Sequence, residues 1–222
     1  DLAREQRLAD QIVDAIFDGE PLFLNAGGHD FLAIYMEPDE PSERAVLLIH
    51  GRGYHPDWEN VTGPLRVGLT GYGWNTLSIQ MPVLDKEARF HDYLEILDEA
   101  LPRIDAALAF LADKGNEVVV MQAHSCGVHM AMEWIGVEGS GAIDGFIGIG
   151  MGATDYGQPM RKAFPFDRLQ VPVLDLYGAL DYPAVLHGAD ERWKAIQRQG
   201  QASSRQLMLQ DGDHYMREQD AL

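Results

Sequence analysis

The sequence predicts an α/β protein: a mostly parallel central sheet with helices on both faces, an N-terminal antiparallel hairpin and a minimal cap. Three observations predict it. From residue 45 onward, short apolar runs alternate with segments of helical period, the pattern of parallel strands joined by crossover helices. Several of those runs are apolar throughout, as strands buried on both faces are. Ahead of them, two apolar stretches flank Asn25–Ala26–Gly27–Gly28, a hairpin signature.

Taken in order, residues 2–18 repeat apolar side chains at helical spacing (Leu2, Leu8, Ile12, Ile16 and Phe17) and end at Gly19, which predicts an amphipathic helix. The hairpin follows, then a polar loop over 38–44. AVLLIHG (45–51) reads as the first buried strand. Residues 61–72 read as a helix entered through Thr62–Gly63–Pro64, where proline is tolerated. WNTLSIQMP (74–82) is a second strand. Residues 92–114 carry a long helical period that Pro102 should kink or divide in two. EVVVMQAHS (117–125) is a third strand running into the helix CGVHMAMEWIG, and FIGIGMG (146–152) and VPVLDLYG (171–178) are two more. DERWKAIQRQG (190–200) is a helix closed by Gly200, and RQLMLQ (205–210) is the last strand. No repeat, low-complexity tract or linker divides the chain. Residues 1–222 therefore read as one domain, with the helix of 1–19 in front and a small lid over 153–170.

Composition narrows the function. Hydrophobic residues make up 46% and charged residues 23%, ordinary for a globular chain. No apolar run approaches the roughly 20 residues that span a bilayer. With 35 acidic against 17 basic residues the formal charge is −18, a surface that repels phosphate backbones, so nucleic acid is a poor partner. The one cysteine, Cys126, permits no internal disulfide and no cysteine metal cluster. The chain opens on Asp1 rather than Met, which reads as a processed or trimmed form.

The most informative segment is Ala123–His124–Ser125–Cys126–Gly127, where a valine-rich strand meets a helix. A serine on so tight a turn is held in strained backbone with its Oγ pushed out above the sheet, and its neighbours two places away must be small. Ala123 and Gly127 meet that need, a near match to G-x-S-x-G. The competing reading is that Ser125 merely caps the helix. His124 should point away from the reacting centre, and His129 reads as a packed histidine. Cys126 reads as a buried small residue whose backbone N–H matters more than its thiol.

A serine hydroxyl is a weak nucleophile at neutral pH, so it needs a base, and the base needs orientation. Asp181 follows the VPVLDLY strand in the loop at its carboxyl end, where open α/β sheets build their sites. Asp175 is its rival but lies within the strand. His214 follows the final strand in Gly212–Asp213–His214–Tyr215; His187 has no strand directly before it. Ser125, Asp181 and His214 stand in the chain order that a nucleophile elbow requires.

Two backbone donors should hold the negative oxygen that develops in acyl transfer. One is the N–H of Cys126. The other is the N–H of Arg52 in His50–Gly51–Arg52–Gly53, directly after the first buried strand. The same loop runs on through Tyr54, His55 and Trp58. Arg52 and His55 are expected to form a positive spot that favours an anionic group on the substrate. Tyr156, with Met160, Phe164 and Phe166, would give the lid an apolar lining, or else these side chains complete the core.

Together H-G-R-G, A-H-S-C-G, G-A-L-D and G-D-H resemble the α/β-hydrolase superfamily over roughly residues 44–216. The resemblance implies Ser125 as nucleophile, His214 as base, Asp181 as acid, and no metal or organic cofactor. WNTLSIQMPVLDK and GIGMGATDYGQPM resemble an uncharacterised bacterial branch whose members carry export signals. That implies a periplasmic or secreted protein, and otherwise a cytoplasmic one. The chain departs from the pattern at Ala123, where glycine is usual. It also ends eight residues after His214, where REQDAL reads as the start of a closing helix. The chemistry expected is hydrolysis of a small carboxylic ester through an acyl-enzyme. Thioesters and amides suit the same residues. A binding module without catalysis, and an envelope interaction protein docking through the N-terminal helix, are the readings from other classes.

Overall fold

A computed structural model describes residues 1–217 of the chain. Its centre is an eight-stranded sheet. β1 (Glu20–Ala26) and β2 (His29–Met36) form the hairpin, turning through Gly27 and Gly28. β2 runs antiparallel to β4 (Asn75–Ile79). The rest is parallel: β3 (Arg44–Ile49), β5 (Val118–His124), β6 (Gly145–Ile149), β7 (Val173–Leu180) and β8 (Arg205–Asp213). The strand order is β1-β2-β4-β3-β5-β6-β7-β8.

Continuous apolar strands need cover on both sides, and β3 shows how they get it. Successive side chains point to opposite faces. Ala45, Leu47 and Ile49 pack among residues of α4 (Leu101–Asp113) and α5 (Cys126–Glu138). Val46 and Leu48 pack on the other face with Leu65 of α2 (Thr62–Gly68). Leu47, Leu48 and Ile49 are fully buried, each contributing about 2 kcal/mol. α7 (Ala189–Gln197) adds Ile196 to the α4–α5 side.

Several boundaries differ from the sequence expectation. The first helix, α1, spans Leu2–Ala15 and stops there because Ile16 turns extended (φ −71°, ψ 135°) towards β1. Its inward face is Glu5, Ala9 and Ile12, the last two packing on Leu32 and Ile34 of β2, whereas Phe17 stands in solvent. Glu5 is buried because Arg103 donates to it at 2.8 Å. The stretch over 92–114 divides next to Pro102, as expected, and the proline does not kink α4 (Leu101–Asp113) itself. It sits in that helix's first turn, where its missing N–H costs nothing, and the residues before it form α3 (Phe90–Tyr93) and a 3₁₀ stretch over Leu94–Ala100. A short helix, α6 (Pro183–His187), was not expected. β8 runs three residues further than predicted, to Asp213. The closing helix expected in REQDAL falls, after Arg217, outside the described residues. No described helix is long and apolar enough to cross a membrane.

The topology fixes where a site can form. Strand order reverses at β3, with β4 on one side and β5 on the other, and the crevice opens at the strands' carboxyl ends. Ile49 lies beside Ala123 in the β3–β5 register, which brings the loop after β3 level with Ser125.

Candidate active site

Ser125 occupies the turn between β5 and α5 at φ 54° and ψ −121°, a left-handed backbone that a non-glycine residue adopts at a cost of about 1–3 kcal/mol. The surroundings hold it there. Its N–H donates to the Ile149 carbonyl at 2.9 Å, and its own carbonyl accepts from Val128 N–H at 3.0 Å. The turn is tight enough that a Cβ on Gly127 would run into the His50 carbonyl oxygen and Ile49. Ala123 is small enough to be fully buried at the other flank. The Ser125 hydroxyl makes no capping bond to the helix; it donates to His214 Nε2 at 2.8 Å.

The loops bearing Asp181 and His214 meet because β7 and β8 are pressed together at their carboxyl ends. A Cβ on Gly178 would overlap the Gly212 carbonyl, and the ladder resumes past a register shift at Leu180 and Asp213. The His214 Nδ1–H donates to Asp181 Oδ1 at 2.6 Å, and both side chains are buried. The Tyr182 N–H also donates to Asp181 Oδ1, at 2.6 Å. Asp175 is buried elsewhere, bound to Arg192 at 3.0 Å and Gln206 at 2.8 Å, and burial raises its carboxyl. His187 is exposed on α6.

A cleft of about 60 Å³ opens at Ser125, lined also by Arg52, Tyr54, Phe90, Cys126 and Ala153. Cys126 stands at the first position of α5, where its N–H has no intrahelical acceptor. Its thiol is buried and pushed up to about 12 by that burial. The Arg52 guanidinium is held two-pronged by Asp155, at 2.5 and 2.9 Å, and Asp155 Oδ2 also accepts from Phe90 N–H at 2.7 Å. The hydrogen bonds from Arg52 hold the Asp155 carboxyl below its usual range.

The positive spot expected from Arg52 and His55 is therefore not present. Arg52 is neutralised by Asp155, a partner 103 residues away in the chain. His55 does not line the cleft; it packs edge-on to Trp58, and burial lowers its pKa, which keeps it neutral at pH 7. Tyr156 lies outside the Ser125 cleft as well. It is fully exposed on the wall of an adjoining cleft of about 470 Å³. Phe166 and Phe164 join the main core rather than line a lid.

Three residues without a place in the sequence expectation, Tyr182, Asp155 and Arg4, shape the site together with His124, which points away from the reacting centre as expected. Tyr182 stacks flat on the His214 ring, 4.0 Å between centroids, and its hydroxyl meets that of Tyr215 at 2.8 Å. Burial raises the Tyr182 pKa, so it stays protonated. His124 is fully buried behind the elbow, and its Nε2–H donates to the His214 carbonyl at 2.9 Å. Burial, then the neighbouring His214, lowers it to about 4. Asp155 fixes Arg52, and Arg4 of α1 donates to the Gly53 carbonyl at 2.9 Å. Tyr182 was findable as the aromatic directly after the candidate acid; Asp155 and Arg4 carry no local signal. Among the described residues no group of three or more His, Cys, Asp or Glu side chains is arranged to hold a metal ion.

A family model described as a protein of unknown function (DUF3530) matches residues 2–94, a stretch that includes the Arg52 loop and ends before Ser125. No curated protein matches the chain in sequence. Solved structures do match in shape. A dienelactone hydrolase from Anabaena variabilis superposes with a TM-score of 0.68 at 16% identity, covering 91% of this chain and 90% of that one. A cold-adapted esterase from an Arctic intertidal metagenomic library gives 0.67 at 19%, covering 87% and 84%. Est1E from Butyrivibrio proteoclasticus, with ferulic acid bound, gives 0.62 at 17%, covering 89% and 92%. Likeness at such identities speaks for the fold, and with the strand order above it shows that this chain has the α/β-hydrolase fold.

Proposed function

We propose that the protein is a serine hydrolase that cleaves carboxylic esters through an acyl-enzyme. The observation that carries the reading is the continuous relay from Ser125 Oγ to His214 Nε2 at 2.8 Å and from His214 Nδ1 to Asp181 at 2.6 Å, built on a strained serine. In the first half-reaction Ser125 Oγ bonds to the acyl carbon while its proton passes to His214 Nε2. The oxyanion lies against the N–H groups of Arg52 and Cys126. Collapse breaks the bond to the alcohol oxygen, which leaves with the proton from His214. Water then repeats the sequence and frees the acid. Asp181 holds the imidazole in the tautomer that can accept at Nε2 and stabilises the imidazolium.

The similarity to an esterase and to a dienelactone hydrolase supports the reading, as does a neighbour of the same fold that binds an aromatic acid. Steady-state hydrolysis of p-nitrophenyl acetate tests it. Ser125→Ala and His214→Ala should each lower kcat about a million-fold, and Asp181→Asn about ten-thousand-fold. Turnover by Ser125→Ala at the wild-type rate would assign any hydrolysis to another group.

A further inference from the structure

We propose that the preferred substrates are uncharged esters joining a small acyl group to a bulky, flat, apolar alcohol, and that the alcohol half seats in the cleft beside Tyr156 and Tyr182. The inference rests on the serine-hydrolase reading above and specifies which half of the ester goes where.

Size comes first. The cleft at Ser125, about 60 Å³, has Phe90 and Ala153 among its walls. It has room for only a few water molecules, the bulk of an acetyl group. The adjoining cleft, about 470 Å³, shares Thr154, Asp155 and Tyr182 with it and is walled by Tyr156, Pro159 and Pro183. A substrate larger than a simple acetate can extend into that space.

Direction follows from proton transfer. The alcohol oxygen must receive its proton from His214 Nε2, so the alcohol lies on the imidazole side of Ser125. Tyr182 is stacked on that imidazole and forms the wall shared with the larger cleft. The larger cleft is therefore the leaving-group side. Shape and charge follow from its walls. Tyrosine and proline rings offer flat apolar faces, and Tyr156 is fully exposed, so covering it with an apolar group stabilises the complex at about 25 cal/mol per Å². An anionic group finds Arg52 already held by Asp155 and a protein of charge −18 around it.

The test uses acetates of primary alcohols with similar leaving-group pKa, so that chemistry is held constant: ethyl, 2-phenylethyl and 2-(2-naphthyl)ethyl acetate. Butanoate and octanoate esters of 2-phenylethanol and a carboxylated phenylethyl acetate complete the panel. The expected result is that kcat/KM rises about tenfold or more from ethyl to naphthylethyl acetate and falls as steeply from acetyl to octanoyl. Tyr156→Ala, a change at an exposed position, and Ala184→Trp, which fills the cleft, should each pull the naphthylethyl-to-ethyl ratio towards one. A flat alcohol series, a preference for long acyl chains, or a preference for the carboxylated ester overturns the proposal. Any of these accompanied by fluorophosphonate labelling of Ser125 leaves the serine-hydrolase reading standing. No turnover and no labelling overturns both.

Discussion

Cys126 sits one residue past the nucleophile, yet its thiol is pushed up to about 12 by burial, a shift that nearby Arg52 only partly opposes. Only thiolate reacts with alkylating agents. Native protein at pH 7.5 should therefore resist iodoacetamide, and the urea-unfolded chain should take up one equivalent. Native labelling at the rate of a free thiol would show that the side chain, and not only the backbone, faces the cleft. Arg52 gives a second prediction. Its guanidinium is held by Asp155 in a part-buried pair, worth about 1 kcal/mol. Asp155→Asn should raise the relative kcat/KM for a carboxylated ester about fivefold over its neutral analogue, and an unchanged ratio would mean that Arg52 does not face the substrate. Ser125, Asp181 and His214 were legible in the sequence because each follows a recognisable strand, and a chain order plus strand ends defines a place in this topology. Asp155 was not legible. It lies in an irregular segment, and nothing local records a partner 103 residues away.

At the scale of elements, α1 is tied into the site. Arg4 donates to the carbonyls of Leu84 and Gly53, the second belonging to the residue after Arg52, whose N–H is the proposed second donor to the oxyanion. Glu5 accepts from Val83 N–H and Arg103. Arg4→Met keeps the length of the side chain and removes the guanidinium. It should lower kcat about tenfold with KM little changed, and Arg4→Lys should recover part of the loss. Equal loss in both kcat and thermal stability, with no recovery by lysine, would mean that α1 serves packing alone. The strands from β3 to β7 were legible because runs buried on both faces leave an apolar signature, whereas β8, at the sheet edge with Leu207 and Met208 exposed, was legible only from its short apolar run. Helix limits were less so. The face of α1 was misread because its buried side is completed by an ion pair, Glu5 with Arg103, rather than by Leu2 and Phe17. Pro102 marked the division of the 92–114 stretch, which the sequence allowed as two helices, but not that the first part would be a 3₁₀ stretch.

Across the whole molecule, burial holds three histidines neutral: His50 near 3, and His124 and His129 near 4, against the usual 6.5. The unfolded chain takes up these protons below about pH 6.5 while the fold does not, so stability is lost as pH falls from there towards 4. His129 donates from Nε2 to the Ala153 carbonyl at 3.0 Å, a bond that glutamine can keep. Urea titration at pH 7 and pH 5 should show His129→Gln losing about 2 kcal/mol less than wild type over that interval; parallel losses would show that His129 is protonated in the fold. The net charge of −18 acts on the same scale, repelling anions from the surface as a whole. The proposed hydrolysis depends on Ser125 being an activated nucleophile. The direct measurement is to treat the folded protein with a fluorophosphonate and locate the adduct by intact mass and peptide sequencing, with Ser125→Ala and His214→Ala alongside. One adduct per chain, on Ser125 and absent from both variants, is the predicted result. A folded wild-type protein that takes up no label, or takes it up on another residue, would contradict the account.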